Sequence, residues 1–279
     1  MNRCYNIVLF AMDTLPFEFC DSVIYIIDNI RNLRELVPKL SPRYCRTWKA
    51  VIEDHLSNRQ KIDLWSGNST ASNLKLLRSI EKKYLRIQKI TWSGESLSTV
   101  DFEMLKYVKQ FGQCSILWVH NESGNPTSED KESFAEYLKD ISFTQIHLCC
   151  PYEAMLSHQA RSKIIRQFAI NGDGWPKKVQ PAIEAILLTN PIVYANICES
   201  FVFGGDFVEK LFDLPCLTYT WCWFEIYIDN FEEFREFEPN LLLEKSDDRV
   251  IWRRGDGVRV STQFTSYGST CFEFSKRSV

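Results

Sequence analysis

The sequence predicts an α/β chain in which a short all-helical unit precedes a series of strand-helix units and a C-terminal β-hairpin. Three observations predict it. Two helix-start signals, each a capping residue followed closely by proline, open apolar stripes before residue 56. β-prone runs that share one apolar spacing then alternate with polar, helix-favouring segments. Near the end, two alternating runs flank Gly255-Asp256-Gly257.

The first helix starts at Asp13-Thr14-Leu15-Pro16, where a side-chain oxygen can cap and proline sits in the turn that needs no N–H. Val23, Ile24, Ile27 and Ile30, then Leu33, Leu36, Val37 and Leu40, continue the apolar face at spacings suited to short packed helices. Ser41-Pro42 repeats the start signal, and Tyr44, Trp48, Val51, Ile52 and Leu56 make the buried side of a third helix. Three helices in about 45 residues remove too little surface from water to stand alone. Such a unit needs a partner.

These residues resemble an F-box: Leu15-Pro16 with Phe17, the apolar helix through Val23 and Ile27, the middle formed by Leu33, Leu36 and Val37, and Trp48 near the end. The chain is similar to the F-box-related family greatly expanded in nematodes, at Trp48-Lys49-Ala50, at Ser57-Asn58-Arg59-Gln60, and at Trp252-Arg253-Arg254 with Asp256-Gly257-Val258-Arg259-Val260. The likeness runs from Met12 to about residue 263. It departs from the F-box pattern in the second helix, where Asp28, Asn29, Arg31, Asn32, Arg34 and Glu35 are unusually polar. The resemblance implies a Skp-type adaptor of a cullin-type ubiquitin ligase as partner, contacted by Leu15, Pro16, Phe17, Val23, Ile27, Leu33, Leu36 and Val37. Trp48 is expected to hold the unit together. The alternative for the same segment is a helical cap on the following domain.

With 279 residues, 45 % hydrophobic and 14 % aromatic, the chain can bury one large core or two modest ones. The expected division is a helical unit over residues 12–56 and a βα repeat domain over 59–275. Lys and Arg number 33 against 36 Asp and Glu, a formal charge of -3, which leaves no domain-wide basic footprint for nucleic acid. The ten cysteines are scattered through a chain far larger than a disulfide-stapled module and read as buried thiols. Asp13 interrupts the apolar start, so no secretory leader is expected, and Met12 is an alternative first residue. Without a run of about 18 apolar residues, the expectation is an intracellular protein, cytoplasmic or nuclear, with no membrane partner. In that setting Asn68-Ser69-Thr70 and Asn121-Glu122-Ser123 are not glycosylation sites.

Beyond residue 58, apolar residues recur at positions 0, 3 and 5. They do so at Ile87/Ile90/Trp92, Phe111/Cys114/Ile116 with Trp118, and Phe143/Ile146/Leu148 with Cys150. The series continues through Ile165/Phe168/Ile170, Ile192/Ala195/Ile197 and Cys216/Tyr219/Trp221 with Trp223, and Arg59/Ile62/Leu64 is a weaker first copy. Helices are expected between them at 100–110, 128–140, 152–166, 181–188, 206–212 and 231–243, with apolar residues three and four apart. The pattern resembles an irregular leucine-rich-repeat-like βα solenoid, in which stacked units of about 20 to 29 residues build one core. The Asn or Cys that such repeats carry after the last apolar position is absent, so an open doubly wound sheet stays an alternative.

Side chains alternate across a strand, so the residues between the apolar positions should face the other side. Lys89, Thr91, Leu117, Val119, His147, Asn171 and Asn196 are therefore the expected contacts to an unknown target protein, in a mixture of apolar and uncharged polar groups that suits protein recognition. Parallel strands are commonly covered on both faces, and the alternative is that these residues form a second core.

A catalytic or metal constellation is not legible. Only four histidines occur, His55, His120, His147 and His158. The densest cluster, His147-x-Cys149-Cys150 with His158, places vicinal thiols on opposite sides of a strand and suits no tetrahedral ion. No phosphate loop, nucleophile elbow or C-x-x-C pair is present, and the acid pairs read as solvated surface. Asn171-Gly172-Asp173-Gly174 and Gly204-Gly205-Asp206 read as turns, and Gly255-Asp256-Gly257 as the turn of a hairpin between Val250–Arg254 and Val258–Ser261. The sequence thus leads to the expectation of a non-enzymatic, cofactor-free chain. The resemblance makes it a substrate receptor of a ubiquitin ligase, and the competing expectation is an interaction scaffold with no ligase attachment.

Overall fold

The computed structural model describes residues 46–66, 70–93, 97–111, 113–120, 126–214, 221–228, 242–246, 249–254, 257–264 and 269–275. The expected adaptor contacts Leu15, Pro16, Phe17, Val23, Ile27, Leu33, Leu36 and Val37, and the expected helix at 231–243 up to residue 241, lie outside them. By its internal contacts the chain divides into two units, residues 1–63 with 72–88, and residues 64–71 with 89–279.

In order, the described elements are α1 (Arg46–Asn58), β1 (Gln60–Trp65), α2 (Thr70–Ser79), β2 (Leu85–Trp92), α3 (Thr99–Val108), β3 (Gln113–Val119), α4 (Ser128–Leu138), β4 (Ser142–Leu148), α5 (Glu153–Gln159), β5 (Gln167–Ile170) and α6 (Gln180–Thr189). There follow β6 (Tyr194–Ile197), β7 (Val202–Phe203), α7 (Gly205–Phe212), β8 (Trp221–Ile228), β9 (Leu242–Lys245), β10 (Arg249–Arg253), β11 (Arg259–Phe264) and β12 (Thr270–Ser275). The chain is a mixed α/β protein, and its strands hydrogen-bond in the order β1-β2-β3-β4-β5-β6-β8-β12-β11-β10-β9, with β7 beside β8.

In the first unit, α1 buries Trp48, Val51 and Ile52 as its apolar stripe requires. His55 is buried as well and meets Tyr84 edge-on at 5.5 Å between centroids. Tyr84 donates its hydroxyl to Asp54 Oδ2 at 2.5 Å, and that carboxylate beside it raises the phenol above its ordinary value.

In the second unit, β2 through β6 and then β8 pair in parallel and in chain order. Right-handed crossovers between strands taken in that order place successive helices on one face of the sheet. That face holds the core. One row runs Ile90, Leu117, Ile146, Phe168, Ala195, Phe224, Phe272, Thr262 and Val250 across nine strands. Each of these residues is buried. A second row, Trp92, Val119, Leu148, Ile170 and Ile197, meets the helices, with the Trp92 and Phe134 rings 4.8 Å apart.

Two helices start where side chains satisfy orphan N–H groups, and a third on a proline. Ser98 and Asp101 form a reciprocal capping box on α3, as Thr127 and Asp130 do on α4, and Pro181 opens α6. Two amides tie helix ends to neighbouring backbone within the second unit. Gln159 donates to the Ile141 carbonyl, while Asn190 accepts from the Ile165 N–H and donates to the Ile186 carbonyl.

Three expectations need correction. In β3 the core side belongs to Leu117 and Val119, both fully buried, while Ile116 and Trp118 take the opposite face. The run was apolar on both parities, so alternation alone could not choose, and pairing with Ile146 and Leu148 did. The same holds in β8, where Phe224 and Ile226 are buried and Trp223 faces the other way beside Tyr194. The helix expected at 152–166 ends at Gln159, because Arg161 to Arg166 lead straight into β5. The hairpin formed as expected: β10 and β11 are antiparallel, Gly257 has φ +83°, and Arg254 N–H bonds the Val258 carbonyl. Gly172 and Gly174 also adopt positive φ, in the turn after β5.

Candidate functional site

Between β2 and β8, the face opposite the core is made by two rows. The first is Lys89, Ile116, Gln145, Gln167, Tyr194 and Trp223, and the second is Thr91, Trp118, His147, Ala169, Asn196 and Glu225. Thr91 and Ala169 are buried and the other ten are half-exposed, in contrast to the fully closed rows beneath them. We call this the Trp118 face.

At its β2 end the side chains form a cation–aromatic stack. Lys89 Nζ lies 4.0 Å from the Trp118 ring centroid and 5.3 Å from that of Trp65, an indole left 50 % exposed. Trp118 also stacks with two imidazoles, His120 at 4.9 Å and His147 at 5.2 Å between centroids. Burial holds His147 below its ordinary value of 6.5, and the charges of Lys89 and His120 act in the same direction, so its neutral form is favoured. Burial pushes the Cys149 thiol up, partly offset by a hydrogen bond from Trp118.

At the β8 end the chemistry changes. The Tyr194 and Trp223 rings stack at 5.2 Å with 15° between planes. Asn196 Nδ2 donates to Glu225 Oε2 at 2.9 Å, and Ser269 Oγ to Glu225 Oε1 at 3.0 Å. Cys271, paired with Glu225 across β8 and β12, is pushed up to about 11 by burial and then by that carboxylate.

Of the seven expected target contacts, the structure therefore gathers Lys89, Thr91, His147 and Asn196 on this face, with Thr91 buried within it. Asn171 is exposed just beyond β5. Leu117 and Val119 belong to the core. Sequence reasoning missed Trp118, Tyr194, Trp223 and Glu225. The period-2 signal was present in Ile116/Trp118 and Leu117/Val119 alike, and only the register separated them.

The His147, Cys149, Cys150 and His158 cluster does not converge. His147 stacks on Trp118, whereas His158 sits on α5 with its Nδ1 3.3 Å from the Ala135 carbonyl. Among the described residues no group of three His, Cys, Asp or Glu side chains could hold a metal ion. No described helix is long and apolar enough to cross a membrane. No family model, no curated protein and no solved structure matches the chain.

Proposed function

We propose that the protein is a non-catalytic substrate receptor: the Trp118 face binds a target protein, and the N-terminal segment docks to the Skp-type adaptor of a cullin-type ubiquitin ligase. The single observation that carries the first half is the contrast between the two faces of the parallel strands. The core face is closed throughout, while the other presents indole, imidazole and amide groups that are half-exposed. Tryptophan and tyrosine on a rigid sheet offer large contact area at little conformational cost, as protein-recognition surfaces do. Parallel strands in chain order with helices on one face also support the reading of the second unit as a repeat array.

The second half rests on the F-box resemblance of residues 12–56. In this reading the chain itself performs no acid–base or nucleophilic step. It holds a target beside a charged ubiquitin carrier, and the gain is effective concentration.

A pull-down with purified Skp-type adaptor tests the ligase attachment. The full chain is expected to capture it, and Leu15→Ala/Pro16→Ala to lose it. Absence of capture by the wild type removes the ligase and leaves the interaction scaffold, in which the same face binds its target without an adaptor.

A further inference from the structure

We draw no further inference here: the strongest candidate, the polar groove that Lys131 and Glu132 of α4, Glu153 and Ser157 of α5 and Lys178 ahead of α6 line in the second unit, mixes both signs of charge, with Lys178 already 2.6 Å from Glu153, and nothing in the structure shows what covers it.

Discussion

The ammonium of Lys89 lies 4.0 Å from the centre of the Trp118 ring, on the face of the sheet where Leu117, the very next residue to Trp118, does not appear. One residue of register thus separates a half-exposed face from a core.

That register is measurable. Leu117→Ala removes a fully buried side chain and should cost about 2–5 kcal/mol of unfolding free energy. Trp118→Ala should cost clearly less and should impair target binding instead. Urea denaturation of both variants checks this. A larger loss for Trp118→Ala would mean that the strand is turned over.

Asn190 closes two backbone groups at once, the Ile165 N–H and the Ile186 carbonyl, in a position where it is buried. Asn190→Ala should cost about 1–3 kcal/mol, since the Ile165 N–H loses its acceptor away from water, while the Ile186 carbonyl keeps the backbone N–H of residue 190. Asn190→Asp keeps the acceptor but replaces the donor and should also destabilise. The shift of the urea midpoint reports both.

His147 gives a pH dependence with a definite sign. Its folded-state value lies below the ordinary 6.5 because burial, then Lys89 and His120, disfavour the imidazolium. The unfolded chain therefore binds the proton first. The stability contribution is fully present above about 6.5 and is lost as the pH falls through the lower folded value. Wild type should lose more stability than His147→Gln between about pH 7.5 and pH 5, and the difference between the two curves isolates the group.

Cys150 and Cys271 are both pushed up to about 11, from an ordinary 9.0, mainly by burial. At pH 8 the thiolate fraction of each should be about a hundredfold below that of an unperturbed cysteine, since the thiolate is the reactive form. Alkylation with iodoacetamide, followed by peptide mass spectrometry, should find both slow in the native protein. Glu225→Gln should speed Cys271, because that carboxylate is the second cause of its shift, and should leave Cys150 unchanged.

The recurring apolar triplets located most strands of the second unit directly. Ile87/Ile90/Trp92, Phe143/Ile146/Leu148, Ile165/Phe168/Ile170 and Ile192/Ala195/Ile197 are all buried as the spacing requires. The helices of α3, α4, α6 and α7 were equally legible from caps, proline and apolar periodicity. α2 was not, since Thr70–Ser79 is short and mostly polar. β12 was not either, because its place between β8 and β11 joins strands far apart in sequence.

What the sequence by itself determined was where most of the strands and helices lie and that the chain alternates them, because local alternation, caps and turn glycines act within a few residues. The tertiary structure alone decided which side of β3 and β8 is covered. Ile116 and Trp118 are as apolar as Leu117 and Val119, so only pairing with Ile146, Leu148 and Ala195 on neighbouring strands breaks the tie. The side chains of the proposed recognition face are therefore a property of the assembled sheet rather than of any one strand.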